Sequence, residues 1–113
     1  MARINYVELP AADTAASKEF YASAFGWTFT DFGPTYAATT GGDVDLGLQG
    51  DASEAPKAPL PVIDVADLEA ALDSVSAAGG QITRAIFSFP GGRRFEFTDP
   101  AGNAIAVART AGH

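Results

Sequence analysis

The sequence predicts an α+β fold of paired βαβββ modules, a curved mixed sheet around a cavity with two helices on its outer face. Three observations predict it. Short stretches alternate apolar and polar residues, the period of a half-buried strand. Two longer stretches repeat apolar residues at helical spacing. The order strand, helix, three strands then occurs twice, each time over roughly 50 residues, an internal repeat that few small folds share.

Each element has a local cause. Ile4 to Leu9 sets Val7 and Leu9 on one face and Tyr6 and Glu8 on the other, and Pro10 ends the strand. Asp13 is the expected N-cap of a helix over Thr14 to Phe25. Its apolar stripe is Ala16, Phe20, Ala24 and Phe25, and Gly26 is its stop. Trp27 to Phe32, Thr35 to Thr40 and Val44 to Gln49 read as strands, separated by turns at Gly33-Pro34 and Gly41-Gly42-Asp43. The stretch 50–59 is polar with two prolines and reads as a linker between a first module of about 3–49 and a second of 60–109. In the second module Leu60 to Val65 is a strand and Asp67 a cap. Leu68, Leu72 and Val75 mark a helix ending at Gly79-Gly80. Gln81 to Phe89, Arg93 to Thr98 and Asn103 to Ala108 supply the last strands, with Phe95, Phe97, Ile105 and Val107 expected in the core.

Composition narrows the function classes. A chain of 113 residues, 47% hydrophobic and 19% charged, fits one globular domain. It has no cysteine, which removes disulfides, thiolate metal sites and a cysteine nucleophile and fits a cytoplasmic location. Met1 to Tyr6 has no long apolar run, and no stretch approaches a membrane span, so neither a signal peptide nor a membrane partner is expected. A net charge of −7 repels phosphate backbones and argues against nucleic acid. The glycine pairs at 41–42, 79–80 and 91–92 lie at turns and form no phosphate loop, and no nucleophile elbow is present.

The run V-E-L-P-A-A-D-T-A-A-S-K-E-F-Y-A-S-A-F-G-W (Val7 to Trp27) resembles the first module of the vicinal-oxygen-chelate superfamily, the group of glyoxalase I, bleomycin-resistance proteins and extradiol dioxygenases. Val65 to Gly80 resembles the second helix of that group. Gly91 to Val107, with its Asp-Pro-x-Gly-Asn turn, resembles the closing hairpin. The resemblance implies four strand positions for metal ligands. Counted onto this chain they are Tyr6, Leu60, Ala106 and a residue within Val44 to Gln49, where Asp45 and Gln49 are the polar candidates. Leu and Ala cannot coordinate, a neutral phenol is a poor ligand, and the one histidine is His113 at the end of the sequence. The expectation is therefore no metal and no cofactor. An oxygen-only site from Glu8, Asp45, Asp64 and Glu96 is the alternative.

Alternation from those positions places Tyr6, Glu8, Asp64, Arg94 and Glu96 on the cavity side as ligand-binding candidates, with small apolar walls from Leu60, Val62, Ala104, Ala106 and Ala108. Three carboxylates against one guanidinium predict a net negative field. Trp27, Phe29 and Tyr36 are candidates for stacking on a flat ligand or for packing and a dimer contact. The resemblance implies a homodimer binding a small, cationic organic molecule. The competing reading is a lyase, isomerase or hydrolase of the same superfamily using residual carboxylates or an atypical metal. A third is a degenerate homologue with a filled cavity.

Overall fold

A computed structural model describes residues 2–110; His113 lies outside them. The element order is β1 (Arg3–Pro10), α1 (Thr14–Phe25), β2 (Thr30–Asp31), β3 (Tyr36–Ala38), β4 (Asp45–Gln49), β5 (Leu60–Asp64), α2 (Leu68–Ala77), β6 (Gln81–Phe89), β7 (Gly92–Thr98) and β8 (Ala104–Thr110). The expected α+β plan of two βαβββ modules is present. The chain forms two compact units, one over Tyr6–Leu60 and the other from Pro61 onward together with the first residues up to Asn5.

In the first unit the strand order is β2-β3-β4-β1. β2 and β3 pair antiparallel, as do β3 and β4, while β4 and β1 run parallel with Leu9 opposite Leu48. Asp13 caps α1 by accepting from the Ala16 amide at 3.0 Å. Gly26 closes it in the left-handed region at φ 72°, where a side chain would be strained, and its N–H reaches the Ala22 carbonyl at 2.9 Å. The expected stripe does not face the sheet. Ala16 and Ala24 are exposed, and Phe20 and Phe25 are 60% and 62% exposed. Thr14, Ser17, Lys18 and Tyr21 are the half-covered positions instead, at i, i+3, i+4 and i+7. The expected strand from Trp27 shrinks to Thr30–Asp31, because Trp27 leaves the sheet to stack on Tyr21 of α1 at 5.7 Å.

The second unit repeats the order as β6-β7-β8-β5, with β8 and β5 parallel. Here α2 lies over a real core. Leu68, Phe95 and Val107 are at most 2% exposed, and Ile63, Val65, Leu72, Val75, Ile82, Ile86 and Phe97 pack around them. Removing that apolar surface from water is worth about 25 cal/mol per Å² and holds helix to sheet. Asp67 caps α2 through the Ala70 amide at 3.0 Å. β6 departs from regular pairing between Ile82 and Arg84 and again between Arg84 and Phe87. Among the described residues no helix is long and apolar enough to cross a membrane.

Candidate functional site

In the first unit, strand register decides which side chains share a face. Tyr6, Glu8 and Pro10 of β1 lie opposite Asp45, Gly47 and Gln49 of β4, and Gln49 and Gly47 lie opposite Tyr36 and Ala38 of β3. Partnered residues point the same way, so Tyr6, Glu8 and Tyr36 stand around Gly47. Glycine is required there: a Cβ on Gly47 would run into the hydroxyls of both tyrosines. The two phenol oxygens are hydrogen-bonded to each other over this gap. Tyr36 Oη also donates to Glu8 Oε1 at 3.4 Å. Since a hydroxyl has one proton, Tyr6 is then the donor to Tyr36, and the chain runs Tyr6 to Tyr36 to Glu8. Glu8 is only 4% exposed. None of the strand residues on this face is Lys or Arg.

In the second unit, Asp64 lies opposite Ala108, which lies opposite Arg94; Val62, Ala106 and Glu96 form the neighbouring row. Asp64, Arg94 and Glu96 therefore share one face, as alternation predicts. Arg94 binds Glu96 at 3.0 Å, with the two side chains 13% and 24% exposed. The two irregularities in β6 add two residues that plain alternation does not foresee: Arg84 comes opposite Glu96 and Phe87 opposite Arg94. The Arg84 guanidinium sits 3.5 Å above the Phe87 ring and 3.9 Å from Glu96 Oε2.

Within the second unit two guanidinium groups, Arg84 and Arg94, accompany two carboxylates, and both bind Glu96. Of the five candidates, Tyr6 and Glu8 fall in the first unit and Asp64, Arg94 and Glu96 in the second. Tyr36 as a hydrogen-bond partner, Gly47 and Arg84 were not foreseen as site residues. Gly47 alone left a signal, because a lone glycine inside D-L-G-L-Q marks a close approach.

Paired βαβββ units with polar groups on one sheet face define a class, and sequence places the chain in it. Residues 3–107 match the Glyoxalase/Bleomycin resistance protein/Dioxygenase superfamily, and the chain belongs to that family. It is 33% identical over 114 residues to CFP32 of Mycobacterium tuberculosis, which carries a provisional glyoxylase name; the match covers 91% of this chain and 44% of that protein. The chain thus spans less than half the length of that relative. A glyoxylase-like domain-containing protein of Didymella fabae is 32% identical, with 97% of this chain and 95% of that protein covered. Among solved structures, the Mn(II)-bound glyoxalase of Novosphingobium aromaticivorans superposes with a TM-score of 0.69 at 21% identity, covering 96% of this chain and 40% of that one.

The residues here do not fit such an ion at the positions the resemblance implies. Leu60 and Ala106 are 4% and 0% exposed hydrocarbon with no donor atom. The Tyr6 hydroxyl is engaged by Tyr36. Gly47, which faces Tyr6 and Glu8, has no side chain, and the tyrosine hydroxyls fill the room one would take. Among the described residues no three His, Cys, Asp or Glu side chains gather as a metal site.

Proposed function

We propose that the chain is a cytoplasmic, metal-free member of its superfamily that binds a small organic molecule, cationic or rich in hydrogen-bond donors. The observation that carries this is the Tyr6–Tyr36 pair over Gly47, backed by buried Glu8. Phenols and a carboxylate recognise a donor or a cation, and no Lys or Arg on that strand face answers an anion. In the second unit Asp64, Arg94 and Glu96 are the proposed binding residues, with Arg84 beside them. A homodimer is also proposed, supported by the exposed rings of Phe20 and Phe25.

One observation favours a second reading. Hydrogen bonds running from Tyr6 through Tyr36 to Glu8 could move a proton, which suits a lyase, isomerase or hydrolase of the superfamily. A screen of organic amines and neutral donors, with the recovered compound weighed by intact mass, separates the two: unchanged mass means binding, altered mass means chemistry. With whichever compound is returned, Tyr6→Phe costs roughly 0.5–1.5 kcal/mol of affinity in a binder. In an enzyme using the phenol as acid, turnover falls roughly 10²–10⁴-fold with affinity little changed. Glu8→Gln weakens the cation in either case. A tight anionic ligand indifferent to both changes would contradict the site.

A further inference from the structure

One hollow of the first unit is lined by neither Tyr6 nor Tyr36. A cavity of about 470 Å³ has Val7, Trp27, Thr39, Val44, Asp45 and Leu46 in its lining, and ligand pockets run roughly 300–1,000 Å³. Val7 and Leu46 are register partners. By alternation they point away from the side of Tyr6 and Gly47 and form an apolar floor. Trp27 is the wall. Its ring lies 12° from parallel with Tyr21 and is 43% exposed, so its position is set by stacking while ring surface stays open.

Asp45 is the only charged residue of the lining. Its Oδ1 accepts from Thr39 Oγ1 at 2.9 Å and from the Gly42 amide at 3.2 Å, and Thr39 Oγ1 in turn accepts from the Leu46 amide at 3.0 Å. Both bonds fall on one oxygen, so the carboxylate is held in place while Oδ2 keeps its capacity to accept. A second depression of about 450 Å³ on the other side of Trp27 has mixed charge, from Lys18 and Glu19. Lys18 there is already tied to Asp31 at 2.8 Å. The first cavity is the one with a single sign.

The geometry points to a second ligand site here, for a small aromatic ring carrying a protonated amine. The ring lies on Trp27 above Val7 and Leu46, and the ammonium donates to Asp45 Oδ2, with Thr28 and Thr40 hydroxyls at the rim. A chain of net charge −7 also draws cations toward its surface. Asp45 is the register partner of Tyr6, but neither tyrosine nor Glu8 lines this cavity, so its readout can be followed separately from theirs.

Trp27 is the only tryptophan in the sequence, so its emission and its indole N–H resonance follow binding beside it, and the Asp45 and Val44 variants assign that binding to this cavity. The experiment titrates the full chain with 2-phenylethylamine and, in parallel, with phenylacetate at equal ionic strength. The site predicts a saturable Trp27 response to the amine and none to the acid. Asp45→Asn keeps an acceptor for Thr39 and Gly42 and weakens the amine roughly tenfold, the loss of a charge-assisted bond. Val44→Arg, at a rim position 54% exposed, weakens it without touching the turn's hydrogen bonds. Asp73→Asn, the same charge change on exposed α2, leaves the response unchanged. An equal response to phenylacetate, no saturable response to the amine, or indifference to both Asp45→Asn and Val44→Arg would overturn the site. A response that fades as protein concentration rises would put a second chain in the cavity instead, and would also overturn it.

Discussion

The two modules share one strand order but differ in what they bury. α2 sets its own Leu68 against Phe95 and Val107 of the sheet, none of the three more than 2% exposed. α1 buries no residue at all and leaves Phe20 and Phe25 more than half in solvent. The inner faces differ as well. Register equates Tyr6, Glu8, Tyr36 and Gly47 of the first module with Leu60, Val62, Arg94 and Ala106 of the second. One module spends its sheet on a core. The other keeps polar side chains around a glycine and aromatic rings on its surface.

The largest expected difference follows from the cores. Phe95→Ala removes a ring that is 0% exposed and costs about 3–5 kcal/mol in urea unfolding, a large share of the stability of so small a chain. Phe20→Lys in α1 changes unfolding by no more than about 0.5 kcal/mol once the chain is monomeric. The proposed homodimer predicts that light scattering on the natural chain gives twice the mass of one chain and that this variant falls toward the single-chain mass. Equal costs for the two substitutions would erase the contrast between the modules.

Next in size is Gly47→Ala. The second module carries a buried Ala106 at the equivalent place, but in the first the added methyl meets both tyrosine hydroxyls. Unfolding should become easier by about 1–3 kcal/mol, the cost of overpacking. Adding Tyr36→Phe clears one hydroxyl and recovers part of the loss, a coupling that additive sites would not show. Were the double variant as weak as the sum of the singles, the tyrosine pair would not be what fills the gap.

Much of this was legible in the sequence. The caps at Asp13 and Asp67, the core positions of Phe95 and Phe97, and the shared face of Asp64, Arg94 and Glu96 follow from side-chain type and period alone. The face of α1 did not, because α1 is only weakly amphipathic, with apolar residues spread around it, whereas α2 has a clear stripe in Leu68, Leu72 and Val75. What decides is the sheet beneath, where Ala37 and Leu48 offer α1 less than Phe95 and Val107 offer α2. Arg84 was missed for another reason: each irregularity in β6 shifts the alternation by one residue, and no residue type in Q-I-T-R-A-I-F-S-F announces it.

The smallest effect is set by pH and belongs to the second module. Asp99 sits at the turn before β8, where the Asn103 side chain donates to it at 3.0 Å and the Asn103 amide at 2.8 Å. These bonds, the side-chain one first, hold its carboxyl below the ordinary carboxylate value. Such a group stabilises the fold above the unfolded value of about 3.9 and loses that contribution as pH falls through its own lower one. The melting-temperature gap between the natural chain and Asp99→Ala should therefore be constant near neutrality and close below about pH 4. A gap that persists unchanged at lower pH would mean the turn does not need the charge.

The central proposal is that the chain is metal-free, argued from Tyr6 engaged by Tyr36 and from Leu60 and Ala106 at positions where the resemblance implies ligands, and elemental analysis of the purified chain tests it most directly. The account predicts zinc, nickel, iron and manganese all far below one equivalent, before and after incubation with each ion and removal of the excess. Close to one equivalent of any of them, retained in the Glu8→Gln and Asp64→Asn variants, would contradict it.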